Sequence, residues 1–278
     1  MAASDGDGWA TCAQGHTHWG VHGASGLLVV HHDAAGVPYI LMQKRALWSH
    51  HGGTWGLPGG ARDSHEDPIA TAMREAREEA ALDKHDLRVS GVYLDDHGGW
   101  TFDTVIAESG GLIDARPANA ESTALRWIPL GEVTGKRLHP GFAHTWVTIQ
   151  DVLAPQTLVL DVANIVGARA EHGWWRDRAG AASRLLTEVA AARLRHPVLD
   201  QWFPRIVAVV EGAARGVEPV PGIEVVAAQA SGDDMIVDVV RGVPGWQGVT
   251  VVTADRGLRD RVSDRARIEG PKWLLNQL

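Results

Sequence analysis

Gly60-Ala-Arg-Asp-Ser-His-Glu66, continued by Asp67-Pro-Ile-Ala-Thr-Ala-Met-Arg74-Glu75-Ala-Arg-Glu78-Glu79, reads as a loop feeding a helix. Asp67 is a good N-cap, and Pro68 suits the first helical turn, where its missing N–H has no partner to lose. Beyond it Ile69, Ala72, Met73, Ala76 and Ala80 recur at steps of three and four, which predicts one stripe packed on a core. Glu75, Glu78 and Glu79 share a second face, expected to lie away from that stripe. Three like charges there repel unless a cation sits between them, and hard oxygen ligands suit Mg²⁺ or Mn²⁺. Arg74, four residues before Glu78, can steady the cluster. By themselves the glutamates would equally describe a solvated helix face.

The spacing adds more. Gly60, five residues, Glu66, seven residues, then Arg-Glu-x-x-Glu-Glu resembles the box of the MutT-like Nudix hydrolases, and Trp55-Gly-Leu-Pro-Gly-Gly60 resembles the usual lead-in to it. Ala81 stands where the box has glycine, and Ala76 where a larger aliphatic is usual. The resemblance implies an α/β/α sandwich with a mixed sheet, and hydrolysis of a nucleoside diphosphate linked to another moiety. It also implies a metal held by the Gly59 carbonyl, Glu78 and Glu79, with Glu75 as a further ligand or as the group that orients or deprotonates water. Glu66 is expected to position the loop or a second metal. Lys44 and Arg45 either neutralise phosphate or are simply solvated, and Trp55 either contacts substrate or packs in the core. Glu121 is the nearest candidate for an additional carboxylate, since Ala124 occupies a place that is often acidic. The first proline after the box, Pro117, is too far downstream to mark the ADP-ribose type.

The chain has 278 residues, 45% of them hydrophobic and 22% charged, enough for two ordinary globular domains. Its net charge of −8 argues against a general nucleic-acid or membrane binder. A single cysteine, Cys12, excludes an intrachain disulfide framework and fits a reducing compartment. No apolar run is long enough for a membrane span and the first residues do not read as a signal peptide, so a cytoplasmic location is expected. Nothing in the chain bears on oligomeric state. Cys12, His16, His18 and His22 fit no closed four-ligand zinc spacing and read as surface or core residues.

Residues 27–32 and 39–44 predict a hairpin, 87–94 and 100–106 a second strand pair, 121–130 a further strand, and 142–153 a closing helix. Residues 154–157 read as a linker dividing an N-terminal domain, 1–153, from a second domain, 157–278. There, strands at 158–160, 206–210, 223–228 and 249–253 alternate with helices at 179–195 and 234–240, which predicts a mainly parallel α/β sheet. Asp161, Asp233, Asp234 and Asp255 fall near the carboxyl ends of strands, where such sheets form their ligand crevice, and either bind divalent metal or act as caps. Leu160-Asp161-Val-Ala-Asn164, Gly173-Trp174-Trp175-Arg176, Ser231-Gly-Asp233-Asp234 and Thr253-Ala-Asp255-Arg256 resemble the motifs of NYN, or PIN-like, nucleases, with Val162 where glycine is usual. That resemblance implies RNA as a partner. The alternative function is then a Nudix unit sensing nucleotide while the second domain cuts RNA, or binds RNA or a partner without cutting.

Overall fold

The computed structural model describes residues 5–169 and 175–278, so part of the Gly173–Arg176 motif lies outside the described residues. The first unit begins with a small hairpin, β1 (Trp9–Thr11) and β2 (Thr17–Trp19). There follow β3 (Ala24–His32), β4 (Pro38–Arg45), β5 (Trp55–Gly56), β6 (Gly59–Ala61), α1 (Pro68–Ala80), β7 (Leu87–Asp96), β8 (Thr101–Ser109), β9 (Ser122–Pro129) and α2 (Pro140–Ile149). The chain continues through β10 (Gln156–Asp161), α3 (Val162–Arg169), α4 (Arg178–Ala191), β11 (Gln201–Trp202), β12 (Arg205–Val210) and β13 (Ile223–Ala227). It closes with α5 (Gly232–Gly242), β14 (Gly248–Val252), α6 (Arg256–Val262), β15 (Arg267–Glu269) and α7 (Pro271–Leu275).

The larger sheet runs β11-β7-β8-β3-β4-β5, with β6 also paired to β3 and β9 to β4. The β3–β8 pairing is parallel and the others are antiparallel, a mixed sheet as expected. Helix α1 starts as the sequence predicts: the Asp67 carboxylate accepts the Ala70 N–H at 2.8 Å, and Pro68 occupies the first turn. Ala72, Ala76 and Ala80 are buried with Leu27, Val29, Leu41 and Val105, and Ile69 and Met73 pack alongside. Small alanines let the helix lie close to the sheet, so the short Ala76 suits its place, where added methylenes would overpack it.

The helix stops at Ala81, whose φ of 54° and ψ of 32° are left-handed. Its N–H still caps the Arg77 carbonyl at 3.2 Å. An alanine pays a steric cost in this conformation that glycine does not, because of its Cβ. Ala81→Gly is therefore expected to stabilise the protein by about 1 kcal/mol, read from the urea midpoint at unchanged slope.

Two compact units emerge, one of residues 1–153 with 196–202 and one of residues 154–195 with 203–278. The crossing of 196–202 has no signal in the sequence. Gln201 and Trp202 pair with Val92 and Gly91 of β7, and Leu199 lies where a Cβ on Gly91 would approach its Cδ1 to 2.6 Å. The expected linker is also shorter, since β10 already begins at Gln156, and the predicted helix to 195 ends at Ala191.

The second unit is a five-stranded sheet of order β13-β12-β10-β14-β15, with every pairing parallel. The order reverses between β10 and β14, and in open parallel sheets the carboxyl ends of the strands at such a reversal are where ligands bind. Helix α5 closes this core with Ile236, Val237 and Val240.

Candidate active site

The charged face of α1 meets the loop before it through Arg74. Its Nε donates to Glu66 Oε1 at 2.8 Å and Nη2 to Glu66 Oε2 at 2.9 Å, a bidentate fork. Nη1 donates to Glu75 Oε1 at 2.7 Å, Nη2 also reaches the Ala61 carbonyl at 2.9 Å, and Glu78 Oε2 lies 3.7 Å from Nη1. Thr71 adds its hydroxyl to Glu66 at 3.0 Å. The Arg74 hydrogen bonds hold the Glu66 carboxyl down at about 2. Glu66 thus fastens the loop to the helix, and Arg74 is the rivet.

The glutamates do not all face away from the core as the spacing suggested. Glu79 is only 2% exposed, because α1 turns it toward the sheet. It accepts the Gly59 N–H at 2.8 Å and the Gln43 side-chain amide at 3.2 Å, while Ser122 Oγ donates to Gln43 Oε1 at 2.8 Å. Glu78 is half exposed, and Glu75 is largely covered. Burial raises the Glu75 carboxyl and pushes Glu79 up to about 8, and repulsion from Glu121 adds to both. Glu121 therefore stands in the same field as the helix glutamates, just before β9. Carboxylates crowded together and raised by burial and mutual repulsion suit a divalent cation, so the residues present fit the expected metal.

Gly60 has a steric reason. A Cβ there would lie 2.5 Å from Glu75 Oε1, so only glycine lets the carboxylate rest against this strand. Gly60→Ala is expected to leave the melting temperature almost unchanged while lowering kcat about 100-fold, since the displaced group is the mobile end of Glu75. Steady-state kinetics beside a thermal melt checks both parts.

The remaining expected residues are spread along the lead-in. Arg45 Nε donates to the His50 carbonyl at 3.1 Å, and its charge is felt by Glu79. Lys44 is exposed. Trp55 is half-buried in β5, with its N–H on the Arg137 carbonyl at 2.8 Å and its carbonyl accepting from His139 N at 2.8 Å. Gln43 and Ser122 were not legible as site residues. The one signal for Gln43 is an amide inside the apolar run 39–44.

In the second unit Asp161 is buried at the end of β10, accepting Thr253 Oγ1 at 2.7 Å and the Asn164 N–H at 3.1 Å. Burial raises its carboxyl, and Asp233 and Glu211 add repulsion. Burial and Asp255 likewise raise Asp233. Asp255 caps α6 through the Leu258 N–H at 2.8 Å. Asp234 differs from the expected foursome, because it is exposed and turned to Arg261 at 2.6 Å. Glu211, just past β12 and bonded to the Gly232 N–H at 2.8 Å, is the acid the sequence did not single out.

A loop, a capped helix and a glutamate cluster of this kind are what the sequence resemblance implied, and a NUDIX domain family model matches residues 22–156. The chain belongs to that family. It is 48% identical over 162 residues to a Mycobacterium tuberculosis protein named "Putative 8-oxo-dGTP diphosphatase 3", covering 56% of this chain and 73% of that one. A "Nucleoside triphosphate pyrophosphatase/Nudix hydrolase fusion protein" of Bifidobacterium longum is 41% identical over 145 residues, 51% of this chain and 30% of its own. Among solved structures, a Nudix hydrolase from M. smegmatis, RenU, is 43% identical with a TM-score of 0.50, covering 53% of this chain and 94% of that one. The protein is accordingly a pyrophosphohydrolase that uses divalent metal to cleave a nucleoside diphosphate linked to another moiety. Among the described residues no helix is long and apolar enough to cross a membrane.

Proposed function

We propose that the first unit is a house-cleaning hydrolase of nucleoside triphosphates, oxidised purine triphosphates included, working with Mg²⁺ or Mn²⁺ in the cytoplasm. The observation that carries this reading is the complete Glu66–Arg74–Glu75–Glu78–Glu79 set against Gly59, and the similarity to a protein named for 8-oxo-dGTP lends it a substrate. The metal, when bound, neutralises phosphate oxygens and acidifies water. Glu78, Glu79 and the Gly59 carbonyl would hold it. Glu75 accepts the proton of the attacking water, with Arg74 fixing its carboxylate and Glu66 fixing Arg74. Glu121 is a supplementary carboxylate, and Arg45, Lys44 and Trp55 serve the nucleotide. The test is a panel of canonical and oxidised nucleoside triphosphates, dinucleoside polyphosphates and nucleotide sugars with either metal. Turnover of an oxidised triphosphate that vanishes in Glu78→Gln is expected, and equal turnover by that variant would sink the assignment.

For residues 157–278 we propose a PIN-like domain that cuts single-stranded RNA with divalent metal. The buried Asp161 at the end of β10, with the half-buried Asp233 and Glu211 in its field and Asp255 in the field of Asp233, favours this reading. Cleavage of a labelled single strand by wild type but not by Asp161→Asn is the expected outcome, and equal cleavage would assign the activity to a contaminant. Nucleotide turnover unaffected by Asp161→Asn is expected if the two activities are independent. RNA cleavage that requires nucleotide would instead make the first unit a sensor.

A further inference from the structure

Hairpin β1–β2 has strands of three residues each and forms a sheet of its own. So small a ribbon cannot bury enough surface to hold itself, and proteins staple such pieces with disulfides or metals. Cys12 and His16 sit in its turn and His18 in β2, and the chain bends back through Cys12 N–H to the His16 carbonyl at 2.9 Å. The turn between β7 and β8 abuts this tip, with Ala13 N–H on the Gly98 carbonyl at 2.8 Å, and brings His97 with it. One ligand atom from each of Cys12, His16, His18 and His97 lies within 4.8 Å of every other. His22, close to these residues in sequence, is absent from the group; its carbonyl instead receives Arg62 at 2.7 Å.

We propose that Cys12, His16, His18 and His97 bind one structural zinc ion that pins hairpin β1–β2 to the β7–β8 turn. A tetrahedral zinc with bonds of roughly 2.0–2.3 Å holds its ligand atoms within about 4 Å of one another, so modest side-chain rotations from the present arrangement close the site.

Two nitrogens carry this further than proximity does. His18 Nε2 and His97 Nδ1 are buried with no hydrogen-bond partner among the described residues. Ring nitrogens shut off from water are normally satisfied, and a bare lone pair so placed is what a metal consumes. The other nitrogen of His97, Nε2, faces Asp95 Oδ2 at 3.5 Å, the carboxylate–histidine arrangement that orients metal-bound imidazoles. His18 is further fixed by stacking on Trp100, ring centroids 4.0 Å apart and 11° from parallel. A thiolate with imidazoles selects zinc over the hard cation suited to the glutamates, so the two sites do not compete for one metal.

The experiment uses the full chain. Metal analysis of protein purified without chelator is expected to give one zinc per chain, and Cys12→Ala and His97→Ala to give none. Asp95→Asn keeps the ion but binds it about 10–100-fold more weakly in competition with a chromogenic chelator. Should the alanine variants fail to fold, cobalt exchanged into the wild type decides: tetrahedral visible bands with a thiolate charge-transfer band are expected. Wild type that neither contains nor takes up zinc, zinc retained by both alanine variants, or a cobalt spectrum without the thiolate band overturns the proposal.

Discussion

Glu75→Gln is expected to lower kcat by about 10²–10⁴-fold, with KM for the nucleotide little changed and the fold intact. Glutamine keeps the shape of the side chain and leaves one oxygen for Arg74 Nη1, which now sits 2.7 Å from Oε1. It cannot take a proton. Burial raises the Glu75 carboxyl from its ordinary value, which makes the ionised form a stronger base than an exposed glutamate. Loss of kcat without loss of KM is the mark of a group that acts in the transition state rather than in binding. Near wild-type kcat in this variant would remove Glu75 from the chemistry.

The largest effect on stability is expected from Arg74→Met. The guanidinium serves Glu66 twice, Glu75 once and the Ala61 carbonyl once, and both carboxylates are mostly covered. Removing it leaves two mostly covered anions without their counter-charge, a loss of about 3 kcal/mol at neutral pH. Lysine should restore only part of this, since an ammonium cannot reproduce the fork. The sign of the pH dependence follows from Glu66. Its carboxyl is depressed from 4.5 to about 2 in the folded protein, so its contribution is present above pH 4.5 and is lost as pH falls toward 2. The gap between wild type and Arg74→Met in urea unfolding should therefore narrow steadily across that interval. A gap that stays constant would mean that Arg74 acts by packing alone.

Helix α1 was legible in the sequence because everything that specifies it is local: an N-cap, a proline in the first turn, alanines at helical spacing. The alternation of strand and helix after residue 155 was legible for the same reason. What escaped is uniformly non-local. Glu79 looks like a surface residue on a helical wheel, and only the sheet beneath α1 reveals that it is buried against Gln43 and the Gly59 N–H. His97 joins Cys12 across 85 positions of chain, beyond any spacing rule. Glu211 and Asp161 become neighbours through the parallel pairing of β12 with β10, which no short window encodes. Ala81 was visible as a departure from the box, but the left-handed backbone that gives the departure a cost was not.

The return of residues 196–202 to the first sheet has a consequence for how the protein is made. On the ribosome residues up to 153 emerge with the β7 edge still missing its partner, and all of β10, α3 and α4 must be synthesised before Trp202 arrives to cover it. The nascent chain thus carries an open strand edge during a period when neighbouring chains can pair with it. By the same routing, no single cut releases either unit whole. A fragment ending at the apparent boundary near residue 153 lacks β11, and one beginning there carries a strand that belongs to its neighbour.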